Sequence, residues 1–206
     1  GNLDLAGGLT TINVNPYAGA LLANTPYTLI KHGGSLLGTT ANLNVPPPSR
    51  ALNAVVSTVP GQVQVTFTPS GQSAANLLWA GAGYYWDVGA SQSWMNGATP
   101  DYFQQLDSVT FNDTALVFDV NVAGVVVPGS ILVDTEGAFQ FIGSGSISGG
   151  PTTTLTKKGS GSLRIAMANI LSGPIVVSGG TLKSANKAAL GTGVITLGDA
   201  NTGAKN

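Results

Sequence analysis

Cysteine is absent from this sequence, which excludes a disulfide framework, a thiolate metal site and a cysteine nucleophile. That absence suits a cytosolic chain, and equally one exported through an oxidising periplasm, where stray thiols are oxidised in transit. Histidine occurs once, as His32, so a histidine metal cluster is excluded and a Ser-His-Asp triad has a single candidate base. His32 stands beside Lys31 and Gly33-Gly34, and no serine lies in a Gly-x-Ser-x-Gly elbow, so an exposed turn histidine is the expectation.

Charge is scarce as well. Only 8% of the 206 residues are Asp, Glu, Lys or Arg, against roughly 25% in ordinary soluble domains. The net charge is −1 and the basic residues are scattered, with only Lys157-Lys158 adjacent, so there is no electrostatic footprint for nucleic acid. Long apolar runs are missing too. Val122 to Val127 is broken by Gly124 and closed by Pro128-Gly129, far short of the roughly 18 residues of a membrane helix.

What replaces charge is Gly, Ser, Thr, Asn and Gln, interleaved with Val, Leu and Ile. A hydrophobic fraction of 43%, with three Trp, five Tyr and six Phe, is too rich for disorder. Gln62-Val63-Gln64-Val65-Thr66-Phe67-Thr68 alternates without error and predicts a strand that buries Val63, Val65 and Phe67. Shorter alternations recur at Leu3/Leu5, Ile12/Val14, Val109/Phe111, Phe139/Phe141, Leu163/Ile165 and Ile175/Val177. Gly and Pro turn signals separate them, among them Pro60-Gly61, Pro128-Gly129 and Gly179-Gly180. No long segment has a helical period; residues 184–190 suit one helical turn, ended by Gly191. The prediction is an all-β chain.

Composition shifts divide it into an N-terminal β segment (1–45), a Pro-rich loop and strands (46–78), an aromatic-rich β segment (79–149) and a quasi-regular stretch (150–206). Pro46-Pro47-Pro48-Ser49 cannot join a central strand and reads as a loop or a hinge. Residues 79–103 hold all three Trp and three of the five Tyr. Such a cluster is either a local core under a long loop or a sugar-binding surface, in which Trp79, Trp86, Trp94 and Tyr85 are the candidates.

The stretch 155–198 runs Leu-Thr-Lys-Lys-Gly-Ser-Gly-Ser-Leu-Arg-Ile, then Leu-Ser-Gly-Pro-Ile-Val-Val-Ser-Gly-Gly-Thr-Leu-Lys, then Ala-Ala-Leu-Gly-Thr-Gly-Val-Ile-Thr-Leu-Gly. In that order and spacing it resembles the autotransporter-associated β-strand repeat, departing from it at Met167 to Pro174. The Trp-bearing segment at 78–113 resembles the stretch that often precedes such repeats. The resemblance implies a right-handed parallel β-helix, with an irregular or sandwich-like N-terminal part left open. It also implies a structural or adhesive role as passenger, stalk or filament repeat, extracellular or at a bacterial outer surface. The implied partners are adjacent repeats or further copies end to end, and surface glycans. Stacked coils bury a continuous core, and neutral outer faces avoid like charges at strand spacing, which gives the low charge a physical cause.

Catalytic chemistry is not expected, nor any cofactor or metal. Asp107 and Asp113 are the least poor carboxylate pair for glycan hydrolysis, which needs convergence at about 5–10 Å. Asp119-x-Asn121-x-x-Gly124 is a poor calcium loop, with Val between its oxygen donors and no bidentate Glu after it. Lys158-Gly159-Ser160-Gly161-Ser162 leads into a strand, so it offers no helix-capped phosphate cradle. Gly1-Asn2-Leu3-Asp4 lacks a signal peptide's basic region, and neither chain end shows a cap. The expectation is a portion of a longer array, or a subunit that stacks end to end.

Overall fold

The computed structural model describes residues 1–14 and 21–198. Among them there is no α-helix; a single 3-10 turn at Thr40–Asn42 stands among 23 strands. The chain forms two compact units that divide at residues 73/74.

The first unit combines parallel rungs with an antiparallel sheet. β1 (Leu3–Asp4) pairs in parallel with β4 (Leu36–Leu37), and β2 (Thr10–Thr11) with β5 (Leu43–Asn44). β3 (Pro26–Lys31), β6 (Leu52–Val59) and β7 (Gln62–Pro69) form a sheet in the order β3-β7-β6. Val59 faces Gln62 across a two-residue loop, in which Pro60 presets its own φ and Gly61 takes a φ of 75°. The alternation in β7 does what period two demands: Val63, Val65 and Phe67 are fully buried. The Pro46–Pro48 loop joins β5 to β6 inside this unit, so the proline run marks an exit from the ladder and not the division of the chain.

The second unit is a parallel β-solenoid of about four turns, as expected for a β-helix. Its first sheet contains β8 (Asn76–Trp79), β12 (Ser108–Asn112), β15 (Ser130–Asp134), β18 (Thr154–Lys158), β21 (Ile175–Val177) and β23 (Ile195–Leu197). Its second contains β9 (Tyr85–Trp86), β13 (Asp119–Val122), β16 (Ala138–Ile142), β19 (Ser162–Ile165) and β22 (Thr181–Ser184). A third holds β14 (Val125–Val126), β17 (Ser146–Gly149) and β20 (Ile170–Leu171). Coils repeat in register, so inward residues stack in columns: Val109, Ile131, Leu155, Ile175 and Ile195 form one. Phe139, Leu163 and Leu182 form another. The predicted boundaries at 79 and 150 both fall within this one solenoid.

The solenoid's first end is closed by a change of chain direction. β10 (Trp94–Asn96) pairs antiparallel with β8, and β11 (Thr99–Asp101) pairs antiparallel with β10. Beneath them Trp79, Trp86, Trp94, Phe103 and Phe111 form a ring cluster with centroids 5.0–6.0 Å apart. The helical turn expected at 184–190 is a run of tight turns, with Ala189 N–H donating to Asn186 and Gly191 N–H to Ala188. Glycines set how closely coils approach at corners. A Cβ on Gly161 would lie 2.0 Å from the Gly137 carbonyl oxygen of the coil below.

Gly161→Ala should therefore lower the solenoid's unfolding free energy by about 1–3 kcal/mol, since backbone cannot yield as a side-chain tip can. Ser160→Ala, one exposed position away, should stay within about 0.5 kcal/mol. Denaturant unfolding of the two variants checks the contrast.

Candidate functional site

The four sequence candidates for ligand binding separate by burial. Trp79, Trp86 and Trp94 are 0%, 0% and 1% exposed, and Trp79 donates its indole N–H to the Val117 carbonyl at 2.8 Å. No sugar ring can stack on a side chain enclosed by other rings, so the tryptophans are core and their candidacy is corrected. The reason is positional: Trp86 alternates inward beside Val122, while Tyr85 faces outward beside Asn121. Tyr85 is 45% exposed, and Tyr84 beside it is 59% exposed in a left-handed conformation.

The carboxylate candidates are held apart. Asp107 and Asp113 flank the two ends of β12, and six residues of extended chain span roughly 20 Å, beyond the reach of a paired-carboxylate mechanism. Asp107 is fully buried and accepts from the Ala75 and Gln104 N–H groups at 2.8 Å each. Asp113 accepts from the Thr135 hydroxyl, from Glu136 N–H at 2.9 Å and from Gly137 N–H at 3.2 Å, all on the next coil. The Thr135 hydrogen bond, followed by those from Glu136 and Gly137 and by the Lys157 charge, holds its carboxyl below the usual aspartate value against partial desolvation.

His32 lies in the turn after β3 with Nδ1 2.8 Å from the Gly34 carbonyl. Asp119 and Asn121 belong to strand β13, not to a calcium loop, and no group of three metal-ligating side chains occurs among the described residues. In the Lys158 to Ser162 stretch, Gly159 to Gly161 form the corner between β18 and β19.

Three polar devices escaped the sequence, one that ties down a corner and two that join coils. Lys157 occupies an inward column with Phe111 and Val133, where alternation calls for an apolar residue. It is fully buried and donates to the Lys158 carbonyl and to the Gly159 carbonyl at 3.2 Å. Burial lowers its ammonium pKa, while Asp134 and Asp113 oppose that shift. Asn169 accepts from Ile147 N–H and donates to the Ala189 carbonyl, each at 2.8 Å, tying three successive coils. Asp119, Gln140, Arg164 and Lys183 stack outward, with Gln140 donating to Asp119 at 3.1 Å and Arg164 donating to Gln140 at 3.2 Å.

A shallow groove of about 550 Å³ crosses the corners of successive coils, lined by Gly124, Gly143, Gly145, Ala166, Met167 and Asn186 among others. Its walls are mostly main chain and small side chains, with Met167 and Asn186 the larger ones. Together these features supply cohesion between coils. No protein family matches the chain, and neither the curated proteins nor the solved structures contain a significant match.

Two outcomes test these assignments. Trp86→Ala should cost about 3–5 kcal/mol of stability, whereas Tyr85→Ala should stay within about 0.5 kcal/mol. Asp113, with its native pKa depressed, stabilises the fold above the ordinary aspartate value of about 3.9, and that contribution disappears as pH falls through the lower native value. Unfolding followed across that window should show less acid-induced loss in Asp113→Asn than in the parent chain.

Proposed function

We propose that this chain is a structural β-solenoid segment of a bacterial secreted or surface protein, serving surface architecture or adhesion and not catalysis. The observation that carries the proposal is the unbroken stacking of coil on coil. From β12 to β21 each coil hides its apolar face only against its neighbours, and the polar side chains that cross the corners bind one coil to the next. Such a body resists extension and presents a long neutral surface, which is what a stalk or passenger segment requires. The likeness of 155–198 to the autotransporter-associated β-strand repeat supports the same reading and supplies the extracellular location.

Immunogold labelling of intact source cells with antibody against the chain tests it. Label on intact cells is the expected result; label that appears only after permeabilisation overturns the surface assignment.

A second reading, glycan binding, is favoured by the exposed Tyr84-Tyr85 pair alone. A glycan array would then show ligands whose signal is lost in Tyr85→Ala with stability retained. Absence of any Tyr85-dependent signal removes that reading and leaves the structural one.

A further inference from the structure

The solenoid's two ends are built differently. Its first end turns antiparallel, and the outermost strand there, β11, carries Pro100, which has no N–H to offer a further strand. Among the described residues the other end has neither device. β23 is the outer strand of its sheet, and its Ile-Thr-Leu sequence contains no proline and no charge. Ile195, whose column mates Val109, Ile131, Leu155 and Ile175 are at most 1% exposed, is itself 47% exposed, and Leu197 is 80% exposed.

Residues 1–14 show what fits there. Ile175-Val176-Val177-Ser178-Gly179-Gly180, a strand running into a Gly-Gly corner, has its counterpart in Leu3-Asp4-Leu5-Ala6-Gly7-Gly8. The hydrogen bonds follow the same rule in both. In the solenoid an inward residue donates its N–H to the following coil: Leu155 to Pro174 at 3.0 Å, and Ile175 to Val194 at 2.9 Å. In the first unit Leu3 donates to Ser35 at 3.0 Å and Leu5 to Leu37 at 2.8 Å, again forward. For L-residues of one strand direction, the side of the strand on which the N–H lies is fixed by the face the side chain takes. The two units therefore coil with the same hand.

We propose that a second copy of this chain docks its β1 on β23, in parallel and head to tail, extending the eight-stranded sheet. The register follows from two independent parities. Leu3 over Ile195 and Leu5 over Leu197 keep all four apolar side chains inward. The same alignment sets Asp4 beside Thr196, which directs the outward Asp4 N–H at the Ile195 carbonyl and the Leu197 N–H at the Asp4 carbonyl. β1 has only β4 as a strand partner among the described residues, so its other edge is open to this pairing. Because the two surfaces differ, the contact is heterologous, and each copy that docks presents a fresh β23 edge to the next. This proposal rests on the structural reading above and gives it a mode of assembly.

Proline scanning of the two edges tests it. Asp4→Pro removes the donor on the free edge of β1 and leaves the Leu3 and Leu5 bonds to β4 intact. Leu197→Pro removes one of the two forward donors of β23, the other being Ile195, and leaves the Gly198 bond to Val177. Sedimentation of the parent chain should show mass rising with concentration beyond a dimer, and each variant alone should sediment as a monomer. An equimolar mixture of the two variants should reach twice the monomer mass and stop, since only one competent interface remains. Leu197→Asp, which keeps the donor but charges the inward face, should match Leu197→Pro, with circular dichroism confirming the fold of every variant. A parent chain that stays monomeric, or a mixture that does not dimerise, overturns head-to-tail docking. A monomeric chain that remains folded and labels the cell surface leaves the structural function standing.

Discussion

The structure depends on one interaction, the parallel main-chain ladder between consecutive coils. Because inward residues donate forward and outward residues donate backward, each strand is satisfied only when a coil lies on either side of it. Neighbouring strands sit about 4.8 Å apart, and that spacing reaches into the corners, where main chain passes main chain. Gly143, Gly145, Gly161 and Gly193 occupy such corners, where a Cβ would meet the backbone of the preceding coil at 2.4 Å or less, or in the case of Gly143 a side-chain oxygen as well. The ladder also sets the surface chemistry. Side chains at equivalent positions stack at strand spacing, so a charge meets its own kind unless the sequence alternates it.

The outward column on the second sheet shows how that constraint is met. Asp119 is followed by neutral Gln140, which accepts from Arg164, so the first two neighbour pairs are hydrogen-bonded, and only the last, Arg164 beside Lys183, sets like charges together. Within the inward columns the charged exception is Lys157, while the buried Asp107 stands just before β12. A desolvated ammonium is costly, and here the corner carbonyls of Lys158 and Gly159 replace its water. Lys157 therefore binds the corner that its own strand enters, and its charge is felt by Asp113, whose carboxylate grips the coil above. Cohesion across the corners is polar, while cohesion across the interior is apolar.

Sequence alone makes the strands legible and the closures illegible. β7 is unmistakable because seven residues alternate without error, and the strands of 155–197 follow from apolar pairs set between glycines. The Trp-rich segment gives no such pattern. β8, β9 and β10 have only two to four residues each, too few for period two to declare which ring points inward. Trp86 and Tyr85 are thus equivalent on paper, and only the register against Val122 and Asn121 separates core from surface. The turn from parallel to antiparallel at β10 is likewise a property of long-range pairing between Trp94 and Trp79. Lys157 breaks the very alternation by which its column is recognised, so its burial could be found only from the corner carbonyls that receive it. The division at 73/74 has no proline to announce it, whereas Pro46–Pro48 announces a loop that divides nothing.

The aromatic cluster takes its meaning from this architecture. A coil in mid-solenoid is filled by two neighbours, but within the second unit the first coil has a neighbouring coil on one side only. Aliphatic side chains of the size used at Ile131 or Leu163 do not span the remaining space, and large rings do. Trp79, Trp86 and Trp94 replace the missing coil with aromatic volume, and Phe111 and Phe141 connect that plug to the regular columns at centroid distances of 5.4–5.8 Å. The tryptophans are concentrated there because that is where the repeat ends and its interior must still be filled. Among the described residues the columns finish at β23 on the exposed Ile195 and Leu197, and a further coil seated there would bury them by the same physics.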